Sequence, residues 1–149
     1  ALRVNRGHTE ALERMELLDL ADAKYEKFLT MVTPHLDTDI RLKVALGIAK
    51  IHRGLTMEGV SLLEEVRNQK IDSELVETGL GDGYRRAGDV ASAERHYKRA
   101  IKIFDKHANA YRGLALVAYS QGDSEAGSRY WEKFKQYETA AGDADNRMF

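Results

Sequence analysis

Gly54, Gly88 and Gly122 stand 34 residues apart, twice over. A chain that repeats itself at such a period is built from one supersecondary unit stacked on copies of itself, which narrows the possible folds to a few solenoids. The register holds on both sides of the glycines. Leu46, Leu80 and Leu114 share one offset, and Gly47, Gly81 and Ala115 the next. Further columns are Lys50, Tyr84 and Ala118; Gly59, Ala93 and Gly127; Leu63, Tyr97 and Trp131; and Val66, Ala100 and Phe134. A single spacing carries little weight, but the run of aligned columns fixes the period.

Each unit reads as two helices. In the clearest one, Glu74 to Ala87 is the first helix and Gly88-Asp89 the turn. There glycine takes a positive φ just past the helix end, and Asp89 caps the next helix by accepting backbone N–H bonds. Val90, Ala93, Tyr97, Ala100, Ile101 and Phe104 then draw one apolar stripe at the helical period. Gly122-Asp123 repeats the turn and cap. Strand-like alternation bounded by hairpin turns is missing from the sequence, and its single proline, Pro34, leaves helix possible nearly throughout.

These columns resemble the tetratricopeptide repeat, whose pattern sets a large residue at position 4, Leu-Gly at 7 and 8, an aromatic at 11, Ala at 20, an aromatic at 24 and Ala at 27. The unit 74–107 supplies Leu80-Gly81, Tyr84, Ala93, Tyr97 and Ala100. The unit 108–141 supplies Tyr111, Leu114-Ala115, Gly127 and Trp131, and the unit 40–73 supplies Leu46-Gly47, Gly54, Gly59 and Leu63. The departures are Lys50 at the first tyrosine position, Phe134 in place of alanine, and no proline at position 32. The resemblance implies an all-α fold, a right-handed superhelical solenoid of antiparallel helix pairs with about seven or eight helices. One domain is expected over 1–141, with a degenerate repeat over about 9–39 and a flexible tail over 142–149. Ala1 to Arg6 read as the end of an earlier unit, with Leu2 and Val4 in need of a neighbour.

In that family the first helices line a concave groove that receives partner peptides. Carried over by position, the groove presents Arg41, Val44, Ile48 and Ile51 from one unit. The next gives Leu75, Thr78, Asp82, Arg85 and Arg86, and the last Asn109, Arg112, Leu116 and Tyr119. Arginine forks suit carboxylates and flat peptide faces. The family's carboxylate clamp is not reproduced, because Ile48, Asp82 and Leu116 hold the position-9 slots. Trp131 and Phe134, at positions 24 and 27, are expected in the core.

Other chemistry finds little support. Gly79, Gly81 and Gly83 imitate a phosphate loop, but they fall inside a helical pattern with no strand before them. The five histidines form no i, i+4 pair and are expected at the surface or in turns. No serine-nucleophile signature or singular carboxylate pair is present, so neither catalytic residues, a metal nor a cofactor is expected. A formal net charge of −1 gives no long-range attraction to nucleic acid. No apolar run approaches the roughly 18 residues of a membrane span. The absence of cysteine fits a reducing compartment such as the cytoplasm and does not fix one. The expected function is a protein–protein interaction module or assembly scaffold binding a partner protein or peptide. The alternatives are a homo-oligomer joined through the solenoid ends, or a regulatory segment of a larger signalling or secretion protein.

Overall fold

In the computed structural model, residues 22–148 are described, with side chains over 22–140. The expected stub at Ala1 to Arg6 and the opening of the degenerate repeat, 9–21, lie outside the described residues. The chain divides into two compact units, 1–42 and 43–149. In the first, helix α1 covers 22–32 and ends where Pro34 enters a 3-10 turn, Thr33–His35. Proline cannot continue the hydrogen-bond ladder, so the helix stops there.

The second unit is a row of hairpins: α2 (Ile40–His52, from Lys43 onward) with α3 (Thr56–Asn68), α4 (Glu74–Arg86) with α5 (Val90–Ile103), and α6 (Ala108–Ser120) with α7 (Ser124–Met148). No strand occurs among the described residues. Gly54, Gly88 and Gly122 take φ of 88°, 90° and 79°, as the turns require. Asp89 Oδ1 accepts from the Ser92 N–H at 3.1 Å, and Asp123 Oδ1 from the Ala126 N–H at 3.1 Å. The α4–α5 hairpin begins in the same way, with the Ser73 hydroxyl oxygen accepting from the Val76 N–H.

One packing rule sets the spacing of the row. The bulky residue at position 24 wedges between a small residue of its own first helix and a glycine of the next. Leu63 fills the gap between Gly47 and Gly79, and Tyr97 the gap between Gly81 and Gly113. A Cβ on Gly81 would stand 2.6 Å from the Tyr97 ring, and one on Gly113 only 2.2 Å away. Gly83 lies against Val60 and Ile51. All three glycines of the 79–83 run therefore serve close helix approach, which outweighs the roughly 1 kcal/mol each costs inside a helix.

Trp131 departs from the rule. At the same position in the α6–α7 hairpin, it is 36% exposed and stacks on Phe134, ring centroids 4.9 Å apart. This corrects the expected core placement: among the described residues no further first helix with a small residue covers it. α7 is also 25 residues long against 13 or 14 for α2 to α6. It runs on as helix through 142–148, where a flexible tail was expected; Ala140, Ala141 and Ala144 favour helix there.

Candidate functional site

The repeat register brings side chains from α2, α4 and α6 to one cavity of about 100 Å³. Asp82, Arg85 and Arg86 come from one first helix, and Asn109, Arg112 and Leu116 from the next; His52 closes the α2 side. Spacings of three and four residues place these groups on one face of each helix. Three arginines face one aspartate, so the cavity is net positive.

Most of the charge is already oriented. Tyr97, fully buried, donates its hydroxyl proton to Asp82 Oδ1 and accepts from Arg85 Nε at 3.2 Å. Burial, with the Asp82 carboxylate beside it, pushes the Tyr97 hydroxyl far above its ordinary value, so it stays a donor. Arg86 Nη1 donates to the Ile51 carbonyl at 3.0 Å, and its Nη2 lies 3.4 Å from His52 Nδ1. Arg112 and Asn109 have no such partner among the described residues. The cavity thus holds fixed guanidinium groups and, beside them, an uncommitted Arg112 and Asn109.

Of the residues expected in the groove, Asp82, Arg85, Arg86, Asn109, Arg112 and Leu116 share this cavity. Arg41 falls in the first unit, where its Nε and Nη2 pair with Asp39, each at 3.2 Å. Val44 is half-buried on α2 and does not line the cavity. Ile48 is half-buried and turned toward Gly79 of α4. Tyr119 is 45% exposed, but its ring lies against Gly127 of α7, with its hydroxyl 3.4 Å from Ser128 Oγ. Ile51 and Thr78, also expected in the groove, are buried.

A second polar centre was missed. Glu77, 1% exposed, accepts from Arg67 Nε at 3.0 Å and lies 2.7 Å from His96 Nδ1; Arg99 stands 3.7 Å off. His96 is itself 8% exposed and stacks under Tyr84, which corrects its expected surface placement. Burial raises the Glu77 carboxyl, but the His96 and Arg67 hydrogen bonds outweigh it and hold it below its ordinary value. The readable signal was an acid at position 4, where the repeat wants bulk. Among the described residues, no three His, Asp or Glu side chains are placed to hold a metal ion, and no helix is long and apolar enough to cross a membrane.

No protein-family model matches the chain. Over 71 residues it is 30% identical to the TPR repeat-containing protein PA0015 of Pseudomonas aeruginosa, a match covering 48% of this chain and 68% of that protein. Among solved structures it is similar to MamA MSR-1 C2, with a TM-score of 0.62 and 18% identity over 82% of this chain and 70% of that one. A crystal structure of MamA matches with a TM-score of 0.63 and 16% identity, covering 87% of this chain and 86% of that one. The 34-residue register, the glycine-spaced hairpins and these likenesses agree: the chain belongs to the tetratricopeptide-repeat family.

Proposed function

We propose that this chain is a protein–protein interaction module whose cavity between α2, α4 and α6 receives an acidic side chain or the free C-terminus of an extended partner peptide. The observation that carries the reading is the uncommitted Arg112 and Asn109 beside a wall of fixed guanidinium groups. A volume of about 100 Å³ is below the roughly 300–1,000 Å³ of small-molecule sites. It matches one anchoring group of a longer ligand. Arginine presents paired N–H donors in the geometry of a carboxylate, and such charge-assisted bonds are about twice as strong as neutral ones. Leu116 offers an apolar surface beside it. Selection from a random peptide library on the intact protein tests this. Binders should be enriched in Asp, Glu or a free terminal carboxylate, and amidation or Glu→Gln exchange should remove binding. Enrichment of basic or uncharged peptides refutes it.

One observation favours a second reading, self-assembly through the solenoid ends. Trp131 stands exposed at the position where Leu63 and Tyr97 are clamped by a following glycine. A mass that rises with concentration in light scattering, and is lost in Trp131→Glu, is the expected result; a constant monomer mass dismisses it.

A further inference from the structure

The column Lys50, Tyr84, Ala118 has a consequence on the other side of α6 from the groove. Tyr84 fills the space between α3 and α5. Its ring stacks on His96 at 5.3 Å and 6°, and its hydroxyl donates to Glu64 Oε1 at 3.0 Å. One repeat on, Ala118 puts only a methyl group at the same place, and a recess of about 240 Å³ opens between α5, α6 and α7. Leu114, Val117, Ala118 and Ala126 line its apolar side. Tyr130, the counterpart of His96 by repeat offset, stands at its wall and packs on the Ala93, Tyr97, Leu114, Val117 cluster. Lys98 is the counterpart of Glu64, and its ammonium is held by Glu94 at 2.7 Å; Glu94 and Arg129 line the recess.

We propose that this recess is a docking pocket for a tyrosine side chain of a partner protein. The size suffices, since an apolar cavity of about 150 Å³ already takes up benzene. The chemistry repeats what holds Tyr84: a flat ring to stack on, here Tyr130 in place of His96, and a carboxylate to accept the phenolic proton, here Glu94 in place of Glu64. The polar wall selects a phenol over a plain phenyl ring, because a ring without a hydroxyl would cover polar groups of that wall and offer them no bond in return. The pocket lies on the face of α6 opposite Arg112 and Leu116, so it is independent of the peptide groove.

The test uses the intact chain in two-dimensional NMR, with N-acetyl-tyrosinamide, p-cresol and N-acetyl-alaninamide as probes. N-acetyl-tyrosinamide and p-cresol at millimolar concentration should move the Ala118 methyl and Tyr130 ring signals saturably, and N-acetyl-alaninamide should not. In Ala118→Tyr the chain supplies its own ring, and affinity for both phenols should fall at least tenfold. Should that variant not fold, Ala118→Leu fills part of the recess and carries the same expectation. The proposal is overturned by the absence of saturable shifts, by undiminished binding in the filled variant, or by a recess that takes p-cresol but not N-acetyl-tyrosinamide. The last result would describe a hole for free rings, closed to one borne on a peptide backbone.

Discussion

Gly113→Ala is the smallest change that should disturb the whole row of hairpins. The added Cβ would stand 2.2 Å from Tyr97 Cζ and 2.3 Å from Cε1, whereas carbon atoms settle at about 3.5–4.0 Å. The deficit exceeds 1 Å and the ring has nowhere to go. Tyr97 is fully buried, backs onto Gly81, and is tied through its hydroxyl to Asp82 and Arg85. α6 must move away from α5. A deficit this large puts the overpacking cost at the upper end of the usual range, about 3 kcal/mol, and the gain in helix propensity returns about 1 kcal/mol. We expect a net loss of about 2 kcal/mol, or about 4–8 °C in Tm for a domain of this size. Urea and thermal denaturation read it directly, with Asn109→Ala on the exposed side of α6 as a control within about 0.5 kcal/mol of the parent. In a Tyr97→Leu background, where Cζ and Cε1 are gone, the alanine should cost less, with a coupling of at least about 0.5 kcal/mol. If Gly113→Ala is as stable as the parent, the wedge does not set the helix spacing.

Glu77 makes stability depend on acid. Its folded pKa lies below the ordinary 4.5, so the unfolded chain binds the extra proton; this contribution is present above that value and fades as pH falls through the folded pKa. Glu77→Gln should flatten the stability profile below pH 4.5 and, by leaving Arg67 and His96 without their carboxylate, cost about 3 kcal/mol at neutral pH. An unchanged acid slope in that variant counts against the network. Ala100, fully buried, marks another close contact. Ala100→Leu should cost about 1–3 kcal/mol in chemical denaturation, against about 0.5 kcal/mol or less for Arg95→Leu on the exposed side; equal midpoints would contradict the register.

The hairpins were legible because their determinants are local: a glycine that permits positive φ, an aspartate that caps, and an apolar stripe at the helical period. The role of the 79–83 glycines was only half legible. Their smallness was visible, but which neighbour each admits depends on the stacking of three helices. The residues at position 12 do not share one placement. There the side chain points toward position 20 of the second helix, and a glycine at 20 draws it in. Ile51 sinks against Gly59 and Tyr119 lies on Gly127, whereas Arg85, opposite Ala93, reaches the cavity. The Glu77–His96 pair was hidden for another reason. Nineteen residues separate the two, and burial of an acid is legible only once its bases are known to surround it.

A carboxylate seated in the cavity between α2, α4 and α6 would lean on Arg112, so titration of Arg112→Glu is the decisive measurement. The ligand is the tightest acidic peptide selected by the parent protein, measured by isothermal calorimetry against parent, Arg112→Glu and Lys106→Glu, an exposed charge outside the cavity. Arg112 is exposed and makes no bond within the described chain, so its reversal should leave Tm nearly unchanged. The expected result is at least a tenfold loss of affinity for Arg112→Glu, about 1.4 kcal/mol, with Lys106→Glu binding as the parent does. Equal affinity in all three proteins would contradict it and place the peptide on another surface.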